Sequence, residues 1–199
     1  MSPAGVDPAA VAERLGRLHD RITRAGGTDV QVLAVTKTWG LDAIRAAVAA
    51  GCDAIGENYA QELVAKLAGA SDLPAVHFIG RLQTNKVRLV APVVSVYETV
   101  DRDTLAAEIA RRAPGAAVLV QASPDGDPTK GGCEVASVPA LVDRCRELGL
   151  HVRGLMIVGP TDGGPEAARP GFRATRALVD ALGLEVCSMG MSDDLEVAV

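Results

Sequence analysis

The chain has 199 residues, with 20 Lys and Arg against 25 Asp and Glu, a formal net charge of −5. That length supports one substantial core, and a mildly acidic chain with only 3% aromatic residues lacks the clustered positive charge and stacking platforms of a bulk nucleic-acid binder. No signal-peptide pattern and no bilayer-length apolar run is present, so a cytoplasmic protein without membrane contact is expected.

Residues 8–24 read as a helix, with Val11, Leu15, Leu18 and Ile22 at three- and four-residue spacing and Gly26-Gly27 as the stop. From there apolar runs alternate with amphipathic ones. Strands are predicted at 30–37, 53–58, 75–80, 93–100, 116–123, 152–159 and 185–192. Helices are predicted at 41–50, 59–68, 85–90, 103–112, 138–148 and 166–182. Runs such as Val118-Leu119-Val120 and Leu155-Met156-Ile157-Val158 are apolar throughout, as strands covered on both faces must be. The strand–helix repeat fits either an open doubly wound sheet or a closed barrel. The nucleotide-binding fingerprints of the open sheets are missing, and polar residues gather at strand C-terminal ends, where a barrel builds its site.

The predicted fold is therefore α/β, a parallel (β/α)8 TIM-type barrel forming a single domain over residues 1–199. Asp193 is the predicted N-cap of a further helix, with Glu196 three residues on. The chain stops at Val199, so the last helix–strand–helix is expected to be missing.

The basic residues are mostly Arg; the lysines are Lys37, Lys66, Lys86 and Lys130. Lys37 closes the run Val32-Leu33-Ala34-Val35-Thr36, and strand alternation would group it with Leu33 and Val35 on one face. Schiff-base chemistry with an aldehyde needs a deprotonated amine, which Lys can supply and Arg cannot. Snorkelling to solvent is the competing role.

Asn58 ends the second strand as either a polar site group or a helix cap. His77 lies on the third strand, where a satisfied core role competes with a site role. The loop 125–132 holds Lys130 beside two glycines, within reach of a phosphate or simply solvated. In Ser188-Met189-Gly190-Met191-Ser192, Gly190 would let the backbone approach a ligand, and Ser192 opens a βα loop of the kind that binds phosphate in barrels. The cysteines, Cys52, Cys133, Cys145 and Cys187, lack metal or disulfide spacing and read as reduced thiols.

Several stretches together resemble the pyridoxal phosphate homeostasis proteins, which share the barrel of the alanine racemase N-terminal domain. They are Ala34-Val35-Thr36-Lys37-Thr38, Ile55-Gly56-Glu57-Asn58-Tyr59-x-Gln61-Glu62, His77-Phe78-Ile79-Gly80-x-Leu82-Gln83-x-Asn85-Lys86, Lys130-Gly131-Gly132, Gly154-Leu155-Met156 and Ser188-Met189-Gly190-Met191-Ser192-x-Asp194-Leu195-Glu196. The resemblance implies pyridoxal 5′-phosphate (PLP) as cofactor, carried as an aldimine on Lys37. It places Ser192 on the phosphate side and Asn58, His77 and Met189 in the lining. It further implies a non-catalytic carrier or buffer of PLP, a monomer that serves apo PLP-dependent enzymes.

The family pattern continues with a Gly-Ser-Thr segment and an Arg-bearing strand that complete the phosphate grip. Without them, weakened cofactor retention is expected. The alternative is an amino-acid racemase-like enzyme on the same barrel. Racemisation needs a second base opposite the lysine, and the two tyrosines, Tyr59 and Tyr97, sit in no recognisable catalytic pattern.

Overall fold

The computed structural model describes residues 5–124, 126–127 and 129–199. Asp125 and Pro128, part of the loop singled out above, lie outside the described residues.

Helix α1 (Pro8–Ala25) begins where Asp7 accepts from the Ala9 amide and Pro8 takes a position that needs no donor. It ends at Gly26, left-handed at φ 98°. Strands and helices then alternate: β1 (Ala34–Val35), α2 (Leu41–Ala49), β2 (Ala54–Glu57), α3 (Ala60–Leu67), β3 (Ala75–Phe78), α4 (Val87–Val90), β4 (Val96–Val100), α5 (Asp103–Arg112) and β5 (Ala117–Ser123). They continue with β6 (Cys133–Glu134), α6 (Val138–Glu147), β7 (His151–Ile157), α7 (Arg169–Ala181), β8 (Val186–Ser188) and α8 (Leu195–Ala198).

The sheet runs β1-β2-β3-β4-β5-β7-β8, every pair parallel, with β6 attached beside β5. Among the described residues no hydrogen-bonded ladder joins β8 to β1. The barrel-type order of the strands is the predicted one.

Strands β4 and β8 are shorter than predicted, at 96–100 and 186–188, and three further details differ. Strand β1 is regular only at Ala34–Val35, because it pairs on a single side, with β2. The two-residue β6 was not anticipated; it follows the glycine pair Gly131-Gly132 and docks on Ala122 and Ser123. The N-cap of α8 is Asp194 rather than Asp193, and Asp194 turns its buried carboxylate back to accept from the Met191 amide.

Alternation sorts the strand residues into two cores. Ile55, Val76, Phe78, Tyr97, Val118, Val120 and Leu155 pack under the helices with Leu63, Ile109 and Val142. Val96, Leu119 and Met156, with Ala117, Val158 and Val186, form a small cluster on the opposite, inner face. His77, Glu98 and Ser188 also stand on that inner face.

Candidate functional site

The chain leaves β1 at Val35 and turns immediately. Thr36 points under the helices and is buried, and its amide bonds to Gly56 O at 3.0 Å. Thr38 is held at φ 67°, a left-handed conformation that a β-branched residue seldom takes. Lys37, half-buried, is thus on a turn, so the alternation that groups it with Leu33 and Val35 stops one residue short of it.

A buried polar cluster braces this turn from the helix side. Thr36 Oγ1 donates to Glu57 Oε1 at 2.7 Å. Lys66, from α3, donates to Thr36 O at 2.8 Å, to Glu57 Oε1 at 2.6 Å and to Glu62 Oε1 at 2.9 Å. Glu62 also accepts from the Thr38 amide at 2.6 Å. Burial pushes the Glu62 carboxyl up, but the Lys66 bond, the Thr38 amide and the Lys66 charge outweigh it and hold the group below its ordinary range.

Asn58 follows β2. It does not cap α3: Tyr59 occupies the cap position, and no side chain bonds the helix end. Asn58 Oδ1 is buried with no hydrogen-bond partner, an orphaned acceptor of a kind native structures seldom leave. A cavity of about 560 Å³ opens beside it, lined by Asn58, Tyr59, Arg81, Lys86 and Arg102 among others. Gly80 is required here, because a Cβ would lie 2.2 Å from Asn58 O.

His77 projects to the inner face between the outward Val76 and Phe78. Its Nδ1 lies 2.5 Å from Glu98 Oε1, and Ser188 Oγ donates to Glu98 Oε2 at 2.5 Å. An ionised carboxylate only accepts, so in that state His77 carries its hydrogen on Nδ1 and presents Nε2 as the free ring position. Glu98 was not singled out in the sequence, and Ser188 only opened the stretch 188–192 without a role of its own. A lone acid inside the predicted strand 93–100 was the available signal for Glu98.

The remaining expected residues sit apart from that inner-face group. Met189 packs with Ile157, Ala168 and Phe172, on the side of α7 and α8. Gly190, at φ 89°, makes room for Ala198, whose Cβ would be 2.6 Å from an added one. Ser192 is exposed at the turn into α8, and its carbonyl accepts from Arg21 of α1 at 3.1 Å. Lys130 Nζ is 3.8 Å from Asp127, and its carbonyl accepts from the buried Gln121 amide at 2.9 Å.

A parallel β/α sheet with a lysine turn after its first strand defines a class, and a family comparison agrees. The family described as "Alanine racemase, N-terminal domain" matches residues 6–198. Alanine racemase of Clostridium difficile shares the fold at TM-score 0.72 over 92% of this chain and 52% of its own, with 13% identity. The chain belongs to the pyridoxal phosphate homeostasis protein family. Its relative of that name in Pseudomonas aeruginosa is 38% identical over 96% of this chain and 89% of the relative. The Aquifex aeolicus relative is 38% identical over 94% and 90%. Among solved structures, PipY of Synechococcus elongatus with PLP bound superposes at TM-score 0.83 and 30% identity, covering 94% of this chain and 92% of PipY.

Among the described residues, no helix is long and apolar enough to cross a membrane, and no group of His, Cys, Asp and Glu is arranged to hold a metal ion.

Proposed function

We propose that this chain, acting over residues 1–199 as one PLP-binding domain, holds pyridoxal 5′-phosphate in the cytoplasm as a non-catalytic carrier that supplies apo PLP-dependent enzymes. The observation that carries the reading is the braced turn. A lysine stands just past the end of β1 while Thr36, Glu57, Glu62 and Lys66 bond to one another and to the backbone around it. The PLP-bound relative of matching fold supports the same cofactor here.

When bound, PLP would supply an aldehyde. Lys37, on the turn after β1, would be the amine that takes up that aldehyde. Asn58 offers the unpartnered Oδ1, and His77, fixed by Glu98, offers a ring nitrogen on the inner face. Ser192 is proposed for the phosphate side, and Met189 contributes its main chain, since its side chain packs towards α7. The protein is proposed to act as a monomer.

A racemase needs a second base on the inner face. Tyr97 is turned under the helices and is 1% exposed, and Tyr59 stands 53% exposed at the start of α3. Neither tyrosine is held near the Lys37 turn by any hydrogen bond among the described residues. That supports a carrier over an enzyme.

The test is incubation with PLP, borohydride reduction and mapping of the labelled lysine. Label on Lys37 that vanishes in Lys37→Ala supports the carrier. Turnover of D- or L-alanine by the same sample favours the enzyme, and absence of any specific label refutes PLP binding.

A further inference from the structure

The Lys66 ammonium is 5% exposed, and its partner Glu57 is wholly buried. A buried ion pair is weak evidence for stability, because desolvation takes back most of the attraction. Something other than net stability is needed to explain one here, and the pattern of bonds supplies it. An ammonium has three N–H donors, and those of Lys66 meet Thr36 O, Glu57 Oε1 and Glu62 Oε1. Of these acceptors, one is the carbonyl immediately before Lys37. Another, Glu62, also holds the amide immediately after Lys37. The third, Glu57, takes the Thr36 hydroxyl as well.

The cluster therefore grips the backbone on both sides of Lys37 and leaves the Lys37 side chain outside the grip. It also holds Thr38 in its left-handed conformation, which the chain would otherwise relax. Lys66 is an amine of the same chemistry as Lys37, a few ångströms of backbone away, yet all its hydrogens are engaged.

We propose that Lys66, with Glu57 and Glu62, is the positioning device for Lys37: it fixes the 36–38 turn and, by being saturated itself, leaves Lys37 as the amine that an aldehyde can reach. The proposal rests on the reading that Lys37 carries the cofactor. It adds residues that line no part of the pocket and act only through the turn.

The test uses the full chain as wild type, Lys66→Met, Lys66→Arg and Glu62→Leu, each kept at a temperature where circular dichroism reports it folded. Two labels are mapped on every lysine: PLP followed by borohydride, and trace acetic anhydride, which reads amine reactivity without any cofactor site. Lys66→Met is expected to label with PLP at Lys37 roughly tenfold more slowly, as a small misplacement of a reacting group does, and Lys66→Arg to restore most of that rate. Glu62→Leu, at a side chain 29% exposed and so tolerant of change, is expected to slow Lys37 and to make Lys66 newly reactive to both reagents.

Folded Lys66→Met and Glu62→Leu chains that label Lys37 at the wild-type rate, with Lys66 still silent in Glu62→Leu, overturn the proposal. If Lys66→Met does not fold, Glu62→Leu decides alone. A wild type without PLP label at Lys37 refutes the cofactor reading instead. The acetic anhydride pattern then still decides whether the cluster silences Lys66.

Discussion

Ser188 on β8 bonds to Glu98 on β4 at 2.5 Å, although β5 and β7 lie between those strands in the sheet. The bond therefore spans the concave inner face rather than following the ladder. With His77 on the other carboxylate oxygen, Glu98 ties β3, β4 and β8 together at one point.

Glu98→Ala is expected to remove both bonds and leave a serine hydroxyl and an imidazole facing an empty space. Leaving buried polar groups unpaired costs about 1–3 kcal/mol, and because His77 and Ser188 are only half-buried the loss is expected at the lower end of that range. Urea denaturation should show that loss, and Glu98→Gln should recover part of it through its amide oxygen. A midpoint unchanged in Glu98→Ala would mean that the crossing bond holds nothing.

Tyr97 gives an alkaline signature. Its hydroxyl is buried without a partner, and burial pushes its pKa up to about 12. The unfolded tyrosine ionises near pH ~10, so the neutral buried form contributes stability below that pH and loses it as pH rises towards about 12. Thermal melts between those limits should fall by up to ~1.4 kcal/mol per pH unit. In Tyr97→Phe that slope should flatten, with neutral-pH stability unchanged or higher, since an orphaned hydroxyl is removed.

Gly154 lies where β7 meets β8. A Cβ there would stand 1.9 Å from Val186 O, which is backbone and cannot swing aside. Gly154→Ala is expected to part the β7–β8 ladder and destabilise the chain by at least the ~1–3 kcal/mol typical of overpacking. Hydrogen exchange should quicken selectively in β8. Protection equal to wild type would show that the sheet yields elsewhere.

An acid signature comes from Glu196. The Arg21 bond, helped by a backbone bond, holds its carboxyl down to about 2. The unfolded carboxylate titrates near ~4.3, so this contribution is present above that pH and is lost as pH falls towards about 2. Both groups are exposed, so salt should screen the effect. Melting wild type and Glu196→Gln over that range at low salt should show the two converging in acid; convergence that persists unchanged in high salt would point to another group.

Most of the frame was legible from patterning. β5 and β7 announce themselves by continuous apolar runs, and α5 and α7 by their spacing, since burial on both faces or on one stripe dictates those residue types. Strand β1 was overextended, because Val30, Val32 and Leu33 are strand-forming residue types that lack a second ladder partner to keep them extended. β6 carries no periodicity in two residues and arises only from where Gly132 lets the chain approach Ala122. At the candidate site, the sequence singles out Lys37 and His77 but assigns no bracing role to the groups around them. Lys66 and Glu62 read as an ordinary i, i+4 surface pair on a helix, and only the fold reveals that their heads turn inward to Thr36 and Thr38. Glu98 and Ser188 sit 90 residues apart, a proximity that local spacing cannot encode.

Helix α1 packs on both α2 and α8, and Arg21 grips Glu196 at 2.6 and 2.8 Å across 175 residues of sequence. During synthesis, α1 can dock on α2 early but must wait for residue 196 before its second partner exists. The flank that α8 covers stays open until then. Closing that clasp is slow by its separation in sequence. Until it closes, α1 and the α8 turn, which carries Ser192, should exchange their amides ahead of the central strands.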